Sequence, residues 1–138
     1  MSRILVALDD SAGSERALEA AVKLAQQDGG TVSAVAVLER SGDPNLDRLT
    51  DGVKAVARSQ MEDLLAAAGN FARSRGVQLN PILCEGHPAD TIIDCAVQQQ
   101  ASLVVLGANR DAKANDGLGD TADLVSNHCP CTVLIVKS

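Results

Sequence analysis

The segment LGANRDAKANDGLGDTAD, residues 106–123, contains three glycines directly after an apolar run: Gly107, Gly117 and Gly119. Glycine lets backbone N–H groups approach an anion closely, and a following helix N-terminus adds partial positive charge. The same glycines also suit a strand-to-helix turn, because glycine adopts dihedral angles that other residues avoid. The segment therefore predicts either a phosphate-binding loop or a plain connection, and its residue types leave both open.

The charge of this segment opposes a bound triphosphate. Between Arg110 and Asp123 the basic residues are Arg110 and Lys113, and four aspartates outnumber them: Asp111, Asp116, Asp120 and Asp123. Close like charges cost on the order of 1 kcal/mol each even in water. Arg110 could compensate in part, since its guanidinium forms a planar fork for phosphate.

Other reactive side chains predict neither a metal site nor a catalytic site. In NHCPCT, His128, Cys129 and Cys131 supply at most three ligands, whereas structural zinc takes about four. His87 precedes Pro88 and is expected to cap a helix, with no recognisable nucleophile motif nearby. No Ser-His-Asp or Cys-His pattern appears, so we expect the protein not to be an enzyme.

Composition narrows the class of protein further. The 138-residue chain has a formal net charge of −6 and one aromatic residue, Phe71, which disfavours nucleic acid as a partner. The N-terminal sequence lacks the long apolar segment of a signal peptide or membrane span. We therefore expect a cytoplasmic protein without membrane insertion, with four cysteines in the reduced state.

Short apolar runs alternate with amphipathic helical patterns along the chain. The runs predict five strands, at Arg3–Leu8, Thr31–Leu38, Val77–Cys84, 102–107 and Thr132–Val136. Helices are predicted from Ser11 or Ser14 to Gly29, over about Leu49–Arg75, after His87, and from about Gly119 to His128. This order predicts an α/β fold, with a parallel sheet covered by helices on both faces and ligands bound beyond the carboxyl ends of the strands. Pro81 places the third strand at a sheet edge.

Four blocks of the sequence are distinctive in their order and spacing: ILVALDDSAGSERALEAAVKLA, EGHPADTII, ASLVVLGANR and CPCTVLIV. They resemble the signature blocks of the universal stress protein family. The resemblance covers the whole chain, so residues 1–138 are expected to form one universal stress protein domain. It implies a Rossmann-like sheet of five parallel strands in the order 3-2-1-4-5, in a homodimeric, cytoplasmic stress-response protein.

One branch of that family binds ATP through a segment resembling G-x-x-G, nine residues, then G followed by Ser or Thr. Gly107 matches the first glycine and Gly119 the third. Arg110 stands where the second glycine would be, Asp120 replaces the hydroxyl residue, and the intervening loop is one residue shorter. These departures predict a lower affinity for a triphosphate.

On the adenosine side, the resemblance implies three further cofactor-binding residues. Asp9 matches the acidic residue after strand one, Ala7 takes the place of a small residue, and Val37 matches an apolar adenine contact. The candidate cofactor is an adenine nucleotide, ATP or AMP.

Three functions stay open. The first is a stress-response homodimer, joined through the C-terminal strand Thr132–Val136, that acts through protein contacts with weak or absent ATP binding. The second is a sensor of ATP, AMP or a cyclic nucleotide. The third, an enzyme of the wider adenine-nucleotide superfamily, is disfavoured because the SGGxDS-type pyrophosphatase loop is missing.

Overall fold

Strands and helices alternate in the computed structural model, which describes residues 2–9, 11–39, 51–108 and 118–137, with the backbone alone for 51, 53 and 118–120. The strands are β1 (Arg3–Leu8), β2 (Thr31–Glu39), β3 (Leu79–Gly86), β4 (Leu103–Ala108) and β5 (Thr132–Lys137). The helices are α1 (Ala12–Asp28), α2 (Asp51–Ser74), α3 (Pro88–Gln98) and α4 (Leu118–His128). None of the helices in this part of the chain combines the length and apolarity that a membrane span requires.

The five strands form one parallel sheet in the order β3-β2-β1-β4-β5, which confirms the predicted architecture. β1 pairs with β2 along its whole length and with β4 on its other side. The strand order reverses between β1 and β4, the point at which open α/β sheets hold their ligands. β3, which contains Pro81, is an edge strand as predicted.

Two of the four described helices pack on each face of the sheet. Alternate residues of β1 point to opposite faces: Ile4, Val6 and Leu8 pack with α1 and α2, whereas Leu5 and Ala7 pack with α3 and α4. The first face is filled largely by small helix residues: Ala17, Ala21, Ala25, Ala68 and Ala72. These alanines let the helices lie close to the sheet in a chain that has a single aromatic side chain.

Ser11, and not Ser14, is the N-cap of α1. The Ser11 hydroxyl accepts a hydrogen bond from the Ser14 N–H at 3.2 Å, which satisfies one of the free donors of the first turn. The Ser14 side chain is buried and its Oγ accepts from the Asp9 N–H. At the other end Gly29 takes the left-handed conformation, with φ 70°, and closes the helix as predicted.

One predicted strand limit was wrong, and one apolar side chain of α2 lies away from its packed face. β3 runs from Leu79 to Gly86, two residues later than predicted, because Gly76 and Val77 close the preceding helix by hydrogen bonds to α2 carbonyls. Helical periodicity groups Val56 with the apolar residues of α2, but its side chain is 58% exposed. Among the α2 side chains that the structure describes, Met61 is the first that packs against the core of this face, more than one turn after Val56.

Candidate functional site

A cleft of about 360 Å³ lies at the carboxyl ends of β1 and β2. It brings together three of the residues predicted to bind a cofactor: Ala7 and Asp9 at the end of β1, and Val37 in β2. The other residues that line it are Leu8, Val35, Leu38, Glu39, Ala57, Met61, Pro88 and Ile92. Its volume is at the lower end of the range for small-molecule sites, which suits a ligand of one or two rings.

Asp9 is fixed in place by the first turn of α1. Its backbone N–H donates to Ser14 Oγ at 2.9 Å, and its carboxylate Oδ1 accepts from the Ser11 N–H at 2.9 Å. An aspartate that accepts from the backbone two residues later forms a rigid local turn. A carboxylate has about four lone-pair sites, so Asp9 keeps the capacity to accept a hydrogen bond from a ligand in the cleft.

The walls of the cleft are mainly apolar and come from both layers of helices. Val35 and Val37 belong to the sheet, Met61 belongs to α2, and Pro88 and Ile92 lie in the first turns of α3. Val35 and Ile92 are almost fully buried. Such a slot favours a flat apolar ring over a highly hydrated group.

The charged groups of the cleft are acidic. Among the described residues that line it, Asp9 and Glu39 carry charge, and none is Lys or Arg. Arg58, beside the lining residue Ala57, instead forms an ion pair with Glu85, with Nη2 and Oε1 2.6 Å apart. Two carboxylates attract hydrogen-bond donors and repel anions, so this part of the site favours neutral hydroxyl or amino groups.

Gly107 lies inside β4, where the first turn of α1 approaches it closely. A Cβ atom at this position would lie 2.8 Å from Ser14 N and closer still to the Gly13 carbonyl group. Gly107 is not among the glycines of positive φ in the described chain, which are Gly29, Gly76 and Gly86. The interpretation as a turn glycine is therefore wrong for Gly107, because close packing between strand and helix is what requires glycine there.

The remaining phosphate-side predictions are only partly within the described residues. Gly119 lies in the first turn of α4, which begins at Leu118. Arg110 and Gly117 lie outside the described residues, and Asp120 is described by its backbone alone. The loop between β4 and α4 follows the strand beside β1, so its flanking ends lie at the same side of the sheet as the cleft.

Several residues of the cleft were missed from the sequence. Met61 belongs to the apolar pattern of α2, which indicates that its side chain is covered but not by what, and the sequence carried no prediction for Ile92. Pro88 was correctly placed at the start of α3, and that position at the carboxyl side of the sheet was the signal available. His87 is the N-cap of α3 as predicted, but its side chain makes no capping hydrogen bond. Within the described residues, no three His, Cys, Asp or Glu side chains are grouped so that they could hold a metal ion.

The family model of the universal stress proteins matches residues 1–137. This chain belongs to the universal stress protein family. Universal stress protein YxiE of Bacillus subtilis is 30% identical over 146 aligned residues, which cover 99% of each chain.

Solved structures of universal stress proteins have the same fold. The universal stress protein UspA of Lactobacillus plantarum is similar with a TM-score of 0.85 and 27% identity, over 98% of this chain and 97% of that one. A universal stress protein of Archaeoglobus fulgidus, solved in complex with dAMP, shares the fold with a TM-score of 0.72 and 24% identity, over 99% of this chain and 98% of the other.

Proposed function

We propose that this universal stress protein acts in the cytoplasmic stress response as a homodimer through protein contacts, and that its cleft binds the nucleoside part of an adenine nucleotide while holding a triphosphate weakly. The observation that supports the nucleotide part is the composition of the cleft. Apolar walls and two carboxylates lie at the carboxyl ends of β1 and β2, without a described Lys or Arg among the lining residues. The proposed role is binding and not catalysis.

Each adenosine-side residue has a physical role in this proposal. The adenine ring packs against Val37 and the neighbouring apolar walls, and Ala7 leaves room beneath the ring because its side chain is small. The Asp9 carboxylate accepts hydrogen bonds from the ribose hydroxyls, and a charged acceptor makes these bonds stronger than neutral ones. The complex of the Archaeoglobus fulgidus protein with dAMP supports an adenine nucleotide as a ligand that this fold accommodates.

In this proposal the phosphates are bound more weakly than in family members that carry the full glycine-rich pattern. Gly107 and Gly119 remain from the family pattern, but Arg110 restricts the backbone where glycine is expected. Asp120 replaces a hydroxyl donor by a carboxylate, which when ionised only accepts hydrogen bonds. Losing one charge-assisted contact and adding one repulsion costs roughly 2 to 4 kcal/mol, or about two to three decades in affinity for ATP.

Calorimetry with adenosine, AMP and magnesium ATP tests this proposal. We expect AMP and adenosine to bind at least as tightly as ATP. Val37→Phe, which fills the cleft, should abolish binding of all three ligands. Asp9→Asn should weaken them about tenfold without unfolding the protein, because asparagine keeps the local turn with Ser11.

Two outcomes would overturn it separately. Absence of adenosine and AMP binding at millimolar concentration would remove the nucleotide part and leave the protein contacts. If the wild type bound ATP tightly and the double variant Arg110→Gly with Asp120→Ser bound it equally well, the proposed weak binding of the phosphates would be refuted.

The homodimer part rests on the edge strand β5. The four consecutive apolar residues Val133–Val136 lie at the open edge of the sheet, and Leu134 is 38% exposed. An apolar edge strand exposes unpaired backbone groups and side chains unless another chain covers it, and a second copy related by a two-fold axis can do so.

Sedimentation of the wild type should show a dimer, and Leu134→Lys should dissociate it. The control Val56→Lys, at an exposed valine on α2, should stay dimeric. A wild-type monomer at micromolar concentration would refute the dimer.

A further inference from the structure

Two cysteine thiols meet at the junction between α4 and β5. Cys129 Sγ and Cys131 Sγ lie 3.4 Å apart, in hydrogen-bond contact, and both side chains are half-buried. The Cys129 N–H donates to the Val125 carbonyl at 2.8 Å, which anchors this cysteine to the last turn of α4. Cys131 directly precedes Thr132, the first residue of β5. Pro130 between them is exposed, so the turn is accessible to a small reagent.

We propose that Cys129 and Cys131 form a redox modification site, at which a small-molecule disulfide such as oxidised glutathione converts the two thiols into an intramolecular disulfide. Neither the family membership nor the nucleotide cleft requires this pair. It would give a stress-response protein a direct chemical input, the oxidation state of its surroundings, at a place remote from the cleft.

The geometry allows the bond with a small movement. A disulfide has an S–S distance of about 2.05 Å and Cα atoms about 4.4 to 6.8 Å apart. Two residues of extended chain span at most roughly 7 Å, and here the backbone bends at Pro130 and Cys131, which shortens that span. The sulfurs already face each other, so they need to approach by about 1.3 Å, which small side-chain rotations supply.

The reaction proceeds as two thiol–disulfide exchanges. In the first, the thiolate of one cysteine attacks a sulfur of oxidised glutathione, forms a mixed disulfide and releases one glutathione thiolate. In the second, the other cysteine loses its proton and attacks the protein sulfur of the mixed disulfide. The intramolecular bond forms and the second glutathione leaves. Two protein thiols are oxidised, one small disulfide is reduced to two thiols, and the two protons pass to the glutathiones.

The environment assigns the order of attack. Burial raises the pKa of the Cys131 thiol to about 11, and the hydrogen bond and charge of Cys129 act in the same direction. The thiolate of Cys131 is therefore scarcer near neutral pH than that of an ordinary thiol, which slows attack by Cys131 on a reagent in solution. Cys129 makes the first attack, and Cys131 resolves the mixed disulfide because its sulfur is held next to the reacting one.

The other two cysteines provide internal controls. Cys95 is buried, and burial followed by the charge of Cys84 raises its pKa to about 11. Cys84 is half-buried in β3, at the opposite edge of the sheet from β5. Neither belongs to the pair at the turn between α4 and β5.

The test uses the reduced protein, incubated with excess oxidised glutathione, alkylated and analysed by mass spectrometry. We expect two of the four thiols to disappear and the tryptic peptide that ends at Lys137 to carry an internal disulfide between Cys129 and Cys131. Dithiothreitol should return both thiols, since a strained disulfide in so short a loop is readily reduced. Cys84→Ser should behave as wild type.

Single substitutions separate the two steps. Cys131→Ser should accumulate a glutathione mixed disulfide on Cys129, because the resolving thiol is gone. In Cys129→Ser the thiol of Cys131 should be oxidised at least tenfold more slowly than the same thiol in the wild type. Persistence of both thiols in the wild type, or a disulfide that joins two copies of the chain, would overturn the proposal. It would also be overturned if Cys131→Ser formed no mixed disulfide while remaining folded by circular dichroism.

Discussion

β1 and β5 have six residues each and similar apolar sequences, RILVAL and TVLIVK, but they differ in burial. Residues Ile4–Leu8 of β1 are all buried, whereas no residue of β5 is. β1 is paired on both sides and covered by helices on both faces, and β5 is paired with β4 alone. Position in the sheet, and not apolarity, therefore decides how much each strand contributes to stability. It also leaves apolar side chains of the β5 edge partly exposed.

The largest expected effect contrasts one leucine from each strand. Leu5→Ala, at a position of zero exposure, should lower the free energy of unfolding by about 2 to 5 kcal/mol, because it leaves a cavity between the sheet and α3. Leu134→Ala should cost less than about 1 kcal/mol in the monomer, since its side chain is already 38% exposed. Urea unfolding monitored by circular dichroism measures both changes.

The dependence on protein concentration sharpens this contrast. If β5 is the dimer interface, the cost of Leu134→Ala should grow in the concentration range where the wild type dimerises. If Leu5→Ala and Leu134→Ala lowered the free energy of unfolding equally at every concentration, β5 would be as buried as β1 within one chain. That result would contradict the difference in burial between the two strands.

A smaller effect concerns glycines inside and outside the packed region. Gly107→Ala should destabilise the protein by about 1 to 3 kcal/mol, since its methyl group would collide with the backbone of Gly13 and Ser14. Gly69→Ala is the matched control: Gly69 lies within α2 and has open space around its Cβ position. That substitution should stabilise the helix by about 0.5 to 1 kcal/mol. The same sign of change in both variants would contradict the close approach of β4 and α1.

The smallest effect is expected at the edge opposite β5. The ion pair of Arg58 with Glu85 joins α2 to the edge strand β3, and its side chains are 47% and 28% exposed. Solvent screens such a pair, so a double-mutant cycle with Arg58→Met and Glu85→Gln should give a coupling energy below about 1 kcal/mol. The coupling should fall further in 1 M salt. A coupling above 2 kcal/mol that persisted in salt would show that this edge is less solvated than its exposure indicates.

The element order was predictable because local patterns and the chain's resemblance to a family agreed. Pro81 correctly marked an edge strand, since proline lacks the N–H that a central strand needs. The choice between Ser11 and Ser14 as the helix cap was not decidable, because both hydroxyls can cap and the buried contact of Ser14 with Asp9 depends on the folded turn. The exposure of Val56 followed from where α2 meets the sheet, which periodicity does not specify.

The sequence located the sheet side of the cleft better than its helix side. Ala7, Asp9 and Val37 came from the resemblance to the family, and the structure places all three along one cleft at the carboxyl ends of β1 and β2. Met61 and Ile92 come from helices whose placement depends on how the alanine-rich faces pack. The need for glycine at position 107 could not be predicted from the neighbouring sequence either. The atoms that exclude a side chain there belong to Gly13, which lies in another element.

The pairing of β1 with β4 has a consequence for the order in which the chain folds. Ile4 is paired with Leu103, so the middle of the sheet joins segments that lie about a hundred residues apart in the sequence. During synthesis at about 5 to 20 residues per second, β1 waits on the order of 5 to 20 s before β4 emerges from the ribosome. Until then one side of β1 has no pairing partner, and closing the intervening chain costs entropy before the pairing compensates for it. The buried centre of the sheet is therefore completed late, and nascent chains that stall before residue 103 should be the ones most in need of chaperone protection.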